Sequence, residues 1–231
     1  HINVSFKTRF MNYLTTSLLD NNETKTMKRD LNISNKNWED GKKTAGSHAA
    51  AVKNNLQLNR ESDISQKYSA YIKKKMLSNP LIKSFSLAKR IHGIMFTKSS
   101  KGMKYGRHID NAFMSSGRAD LSFTIFLNSK SDYAGGELIV EDINTENKFK
   151  YDEGEIIIYP STYLHSVKEV ESGERLVCVG WIESYVKSIE EREYLFDIDA
   201  GARGILSKHG RSDELDLIFK SYSNLLRVLG N

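Results

Sequence analysis

From about Gly93 to Ser184 the chain is written in short runs of alternating side-chain character, and this limits its fold more than any other feature. Leu121, Phe123, Ile125 and Leu127 hold one parity; Ser122, Thr124 and Phe126 hold the other. Successive side chains of a strand point to opposite faces, so such a run builds a strand with one face committed to a core. Further runs fall at Glu137–Asp142, Glu155–Tyr159, Tyr163–Lys168 and Arg175–Glu183. Turn residues separate them: Ser131 to Gly136, Pro160-Ser161 and Glu171-Ser172-Gly173. Short strands at this spacing predict an antiparallel sandwich or jelly roll.

On either side the period becomes helical. Ile64, Tyr68, Tyr71, Ile72 and Met76 share one helical face, with Ser62 or Asp63 as the cap and Pro80 just beyond the end. Leu215, Ile218, Phe219, Tyr222, Leu225, Leu226 and Leu229 form a second stripe. It can pack within the chain, the reading we prefer, or join two copies into a homodimer through the C-terminal helices. The polar segment Asn21–Ala50 is expected to form loops and short strands. The fold class is therefore mainly β with flanking helices (α+β). Residues 1–90 read as a mixed helical supporting region, 91–185 as the β core and 186–231 as a C-terminal helical segment.

Of 231 residues, 39% are hydrophobic and 27% charged, which supplies a core and excludes wholesale disorder. The longest apolar stretch, Leu176 to Ile182, is far short of the ~20 residues of a membrane-spanning helix. The opening HINVSFKTRFMNYL has no apolar stretch of the kind a secretory signal needs. Cys178 is alone, so no internal disulfide forms; it reads as a small buried hydrophobe, and a reducing, cytoplasmic setting is expected. Residues 1–100 carry 18 Lys/Arg against 7 Asp/Glu, while the remainder carries 16 against 22. A basic half can steer toward nucleic acid. Yet its lysines are scattered apart from Lys73-Lys74-Lys75, which read as a solvated helix face, so a nucleic-acid partner is not favoured.

Among six histidines, His108 stands in a His-x-Asp with Asp110. Residues two apart in an extended segment point to the same side, so an imidazole and a carboxylate can converge on one ion. His165 lies 57 residues on, in a separate strand just after the Pro160-Ser161 turn. Two histidines and one carboxylate on neighbouring strands of a jelly roll form the facial triad of non-haem Fe(II) oxygenases, with open positions for co-substrate and O2. Arg175 follows ten residues after His165. A buried arginine is costly as packing, but it can receive a dianion's far carboxylate through a bidentate pair. His48, His92 and His209 lack partners at ligand spacing and read as surface or structural residues.

The stretch Tyr105-Gly106-Arg107-His108-Ile109-Asp110-Asn111-Ala112 resembles the metal-binding segment of the bacterial PKHD-type hydroxylases, Fe(II)- and 2-oxoglutarate-dependent dioxygenases related to prolyl 4-hydroxylases. The likeness continues through Arg118 to Ser122, Tyr133 to Leu138, Gly154 to Ser161, Leu164-His165 and Trp181 to Ser184. Upstream it takes in Asn37 to Gly41 and Val52 to Asn55. The resemblance implies a double-stranded β-helix, with His108, Asp110 and His165 as iron ligands and Arg175 as the 2-oxoglutarate anchor. It also implies O2 as oxidant, ascorbate as a reductant, and hydroxylation of a prolyl residue in a peptide or protein substrate. Relatives place a second 2-oxoglutarate anchor, a tyrosine, on the strand before the His-x-Asp. Here that neighbourhood reads Ile94 to Lys98 with Phe96 in the comparable place, leaving Tyr105, Ser122 or Thr124 to supply the hydroxyl. Asn54 and Asn55 can orient a substrate backbone or simply make a turn. Trp181 can wall the pocket or fill the core. Two rival readings are a nucleic-acid demethylase of the same superfamily and a non-catalytic, metal-stapled jelly-roll module. The first usually carries a second arginine where this chain has Trp181.

Overall fold

The computed structural model describes residues 13–34, 37–44, 47–142 and 145–231, with only the backbone of Thr44, Ser47 and His48. The segment read for a secretory signal therefore lies almost wholly outside the described residues. In chain order the first elements are β1 (Leu14–Ser17), α1 (Asn21–Ile33), β2 (Trp38–Asp40), α2 (Ser47–Ala51), β3 (Lys53–Asn54) and β4 (Leu56–Leu58). Helices α3 (Asp63–Ser78) and α4 (Pro80–Ser86) lead into β5 (Ala88–Ser100) and β6 (Lys104–His108). A small hairpin, β7 (Phe113–Met114) with β8 (Gly117–Arg118), precedes β9 (Leu121–Phe126), β10 (Tyr133–Gly135) and β11 (Leu138–Glu141). Then come β12 (Glu146–Phe149), β13 (Glu155–Pro160), β14 (His165–Val167), β15 (Val170–Ser184), α5 (Ile189–His209) and α6 (Asp213–Leu229).

Two antiparallel sheets face each other as the jelly roll expected from the sequence. The larger runs β1-β13-β9-β15-β5-β4-β2, with β10 also paired to β15; the smaller runs β12-β11-β14-β6-β3. Strands from the first ninety residues thus lie in both sheets. Parity sorts the side chains. Leu121, Phe123, Ile125, Ile156, Ile158, Leu176 and Cys178 face outward against Met27, Leu31, Tyr68, Ile72 and Met76 of the N-terminal helices. Each such fully buried aliphatic or aromatic side chain contributes about 1.5–3 kcal/mol relative to exposure. Phe126, Ile157, Tyr159 and Val177 face inward, into the space between the sheets, with Leu138 and Val140.

Helix α3 begins at the expected cap, Ser62. Pro80 does not merely follow it: with Asn79 as cap, it opens α4, since a missing N–H costs nothing in a first helical turn. The segment Asn21–Ala50 departs from expectation, because it opens with a 13-residue helix rather than loops. Asp20 accepts the amides of Asn22 and Glu23 at 2.9 Å, and Glu23 accepts the Asp20 amide at 2.8 Å. This reciprocal cap, with Thr24, Met27 and Leu31 on the buried face, outweighs the polar composition.

The turn expected at Glu171-Ser172-Gly173 is instead part of β15. The stretch Ser131 to Gly136, read as a turn, contributes β10, which pairs Tyr133 with Gly173 and Ala134 with Ser172. Gly173 has φ +76, and a Cβ there would lie 2.2 Å from the Asp132 carbonyl, so only glycine allows the two strands to approach. At the other end of the chain, Tyr222, Leu226 and Leu229 of α6 pack on Leu87, Val186 and Leu195, so this stripe is used within the chain. Among the described residues no helix is long and apolar enough to cross a membrane.

Candidate metal centre

His108 ends β6 and stands directly opposite His165, the first residue of β14. Asp110 follows two residues later, and ligand atoms of the three side chains all lie within 4.8 Å of one another. Nδ1 of His108 is 2.8 Å from the Gly106 carbonyl, and Nδ1 of His165 is 3.0 Å from the Tyr163 carbonyl. Donating Nδ1–H to a carbonyl fixes the tautomer and leaves each Nε2 lone pair free for a metal. Nε2 of His165 is 3.7 Å from Asp110 Oδ2. Burial, reinforced by the neighbouring His165, pushes His108 down to about 4, so its imidazole is neutral near pH 7.

The third donor is held by a hydroxyl relay. Ser122 donates to Asp110 Oδ2 at 2.6 Å, and Ser161 lies 2.7 Å from the same Ser122 oxygen. One hydroxyl has one proton, so Ser161 must be the donor to Ser122. The Tyr105 ring stacks on His108 with centroids 3.7 Å apart, and Tyr159 meets His165 edge-on at 5.4 Å. Two imidazoles and one carboxylate, grouped on one side, suit ferrous iron and leave positions open for other ligands.

From this cluster a cavity of about 430 Å3 extends to Arg175. Arg175 is 3% exposed and lies beside the buried Tyr133 hydroxyl, with no carboxylate or carbonyl bonded to its Nε or to that hydroxyl. The two groups attract each other, yet burial still depresses the arginine. A buried cation without a bound anion is an unfavourable state that a carboxylate ligand relieves. Thr124 hydrogen-bonds the Tyr159 hydroxyl, which lies within the field of Arg175. Burial drives Tyr159 far above its ordinary value, so it remains a neutral donor.

Trp181 lines the same cavity, with its indole N–H buried and without an acceptor. The Cε3–Cζ3 side of the indole lies against Gly93, where a Cβ would come within 2.4 Å of it. Asn55 also lines the cavity, and its carbonyl accepts the Gly41 amide at 2.9 Å, which brings the two upstream sequence motifs together. Asn54 is exposed, opposite Lys104 in β6, and stands outside the cavity lining. The comparison drawn at Phe96 needs correction: its side chain is fully buried in the outer core, and Met95, Thr97 and Ser99 are the cavity-facing residues of β5. Sequence reading missed Tyr133, Tyr159, Ser161, Lys53 and Arg60. Only Tyr159 carried a signal, since it shares the parity of Ile157, opposite to Ile156 and Ile158. His92 is structural, bonded to Ser116 and the Arg118 carbonyl. His209 is exposed, and the His48 side chain lies outside the described atoms.

Residues 94–183 match the model of the 2OG-Fe(II) oxygenase superfamily. A PKHD-type hydroxylase of Prochlorococcus marinus strain MIT 9312 is 74% identical over 221 residues, covering 96% of this chain and all of the relative. The chain belongs to the PKHD-type hydroxylases. Membership makes it an Fe(II)- and 2-oxoglutarate-dependent dioxygenase that uses O2, and the non-catalytic module is set aside. The fold is shared with a Pseudomonas putida prolyl-4-hydroxylase (TM-score 0.57, 15% identity, 76% of this chain and 94% of that one). It is also shared with a Trichoplax adhaerens prolyl hydroxylase in complex with a hypoxia inducible factor peptide fragment (TM-score 0.55, 14% identity, 80% and 87%).

Proposed function

We propose that the chain hydroxylates a prolyl residue of a peptide or protein substrate in the cytoplasm. The reaction consumes O2 and 2-oxoglutarate and yields the hydroxylated residue, succinate and CO2, with ascorbate as reductant for the resting iron. The observation that carries this reading is the buried Arg175 beside the Tyr133 hydroxyl, with no carboxylate or carbonyl bonded to Nε or to that hydroxyl, in the same cavity as the His108-Asp110-His165 cluster. The two histidines and the aspartate hold Fe(II), which supplies the oxidising chemistry when bound. Arg175 takes the far carboxylate of 2-oxoglutarate, with the Tyr133 hydroxyl as second donor and Thr124 setting Tyr159 beside it. Tyr105 fixes the plane of His108, and the Ser161–Ser122 relay fixes Asp110. Leu138, Val167 and Val179 give the cavity its apolar lining beside these groups. The nucleic-acid alternative lacks support at Trp181, which offers an indole N–H where a second arginine would be needed.

The test is anaerobic addition of Fe(II) and then 2-oxoglutarate, followed by the weak visible charge-transfer band. We expect the band in the wild type and its loss in Arg175→Met and His108→Ala. A proline peptide should then stimulate succinate formation when O2 is admitted. A band that survives Arg175→Met would refute the anchor, and failure of every proline peptide would refute the prolyl substrate.

A further inference from the structure

The metal ligands and the co-substrate groups leave the small hairpin after Asp110, β7 with β8, without a task. Ile109, between two of the ligands in sequence, lines the cavity together with Phe113 and Met114 of the hairpin. Ile109 is nevertheless 53% exposed and Phe113 77% exposed. From Asn111 to Gly117 the chain carries no charged side chain. An uncharged lip that holds two large hydrophobic side chains in solvent, at the rim of a reaction cavity, is a surface made to be covered.

The hairpin is fastened with these side chains outward. The buried His92 reaches it from β5: its Nε2–H donates to the Arg118 carbonyl at 2.9 Å, and its Nδ1 lies 2.8 Å from the Ser116 hydroxyl. Arg90 donates to the Ser116 carbonyl at 2.8 Å, and the Ala119 amide to the Ala112 carbonyl at 3.0 Å. The Arg118 guanidinium is held in turn by Asp120 through bonds of 2.7 and 2.8 Å. Phe113 pairs with Arg118 across the hairpin, so the strand that carries it is tied to the larger sheet through His92. A surface fixed before its ligand arrives loses little freedom on binding. Because Ile109 and Phe113 both line the cavity, the molecule that covers them is the one that enters it to react. A charged side chain laid on this lip would lose water and find no partner of opposite charge on residues 111–117.

Building on the prolyl reading, we propose that the substrate carries an apolar side chain of about the size of leucine beside the reacting proline, and that Ile109 and Phe113 form its seat. His92 is a positioning residue, which acts by holding the hairpin that presents Phe113.

The test uses proline pentapeptides with Leu, Ser or Asp immediately before or immediately after the proline. Their binding is measured calorimetrically on the whole chain, loaded anaerobically with Fe(II) and 2-oxoglutarate. Full burial of a leucine corresponds to about 10- to 150-fold in affinity, and a seat that covers one side of it supplies about half of that free energy. We therefore expect the Leu peptide to bind about three- to tenfold tighter than the Ser peptide in one of the two placements, with the Asp peptide weakest. Phe113→Ser should bring the Leu-to-Ser ratio close to one; the side chain is exposed, so the change removes no core packing. His92→Leu should lower the same ratio in the natural chain and leave it unaltered in the Phe113→Ser background, a coupling that a merely structural role does not produce. Equal affinities of the Leu and Ser peptides in both placements, or a leucine preference that survives Phe113→Ser, would overturn the seat. A ratio untouched by His92→Leu would overturn the positioning role. The visible band keeps these failures apart from those of the underlying reading. Without the band the co-substrate assignment falls first; with the band but no proline peptide bound, the prolyl substrate falls and the seat with it.

Discussion

Ser122→Ala tests the hydroxyl relay behind Asp110. Ser122 donates to Asp110 Oδ2 at 2.6 Å and is itself 2.7 Å from Ser161, in a region where Ser122 is 3% exposed. Alanine keeps the Cβ and adds no bulk, so the change removes one hydrogen bond to a carboxylate and little else. Such a bond contributes about 1.5–3 kcal/mol, which is roughly 10- to 100-fold in metal affinity, matching what outer partners of metal ligands generally provide. Ser161→Ala leaves the direct donor in place and removes only its orientation, so its loss should be a few-fold at most. The assay is anaerobic titration of metal-free protein with Co(II), followed through its visible spectrum. Thermal unfolding of the metal-free protein serves as the folding control. Unchanged affinity in Ser122→Ala, or an equal loss in both variants, would refute the ordered relay.

The remaining predictions concern the anchor, the indole seat and acid stability. Arg175→Met should weaken 2-oxoglutarate binding about 30-fold or more, because losing one partner of a buried charge pair costs about 2 kcal/mol or above. The ligand-free melting temperature should hold or rise as an unpaired buried cation is removed, and a drop of several degrees would argue that Arg175 has a structural partner. Gly93→Ala places a side chain at φ +63 and within 2.4 Å of Trp181; it should cost about 2–4 kcal/mol by denaturant midpoint and alter the indole fluorescence. Burial of Glu23 would raise its pKa, but hydrogen bonds from Lys75 and Tyr71 outweigh this and hold it at about 2. A carboxyl lowered by folding contributes stability above its unfolded value of about 4.3 and loses it as pH falls toward 2. Glu23→Gln should therefore flatten the stability profile between about pH 5 and 2, and an unchanged slope would count against the ion pair.

Some of this protein follows from local sequence alone. Strand runs at 121–126 and 155–160 were legible because one face meets the helices and the other meets the cavity, so side-chain character alternates. The His108-x-Asp110 pair was legible because both ligands sit within three residues, and Arg175 because its parity sets it opposite Leu176 and Cys178. β5 was not legible in the same way. Met95, Phe96 and Thr97 are all buried, and a strand covered on both faces loses the alternation that tells inside from outside, so the sequence does not show that Phe96 belongs to the outer core. The cap of α1 was written as Asp20-x-x-Glu23, but polar neighbours hid it.

Everything that depends on sequence-distant pairing was left to the tertiary structure. His165 reaches His108 only through the register of β14 on β6, and Tyr133 reaches Arg175 only because β10 pairs with the long β15 at Gly173. The cavity joins Lys53 of β3 and Arg60, in the turn after β4, to Trp181 on β15. Local sequence carries periodicity, capping and turn chemistry. Which distant side chains share one cavity depends on strand register, and that is set by the packing of the whole sandwich.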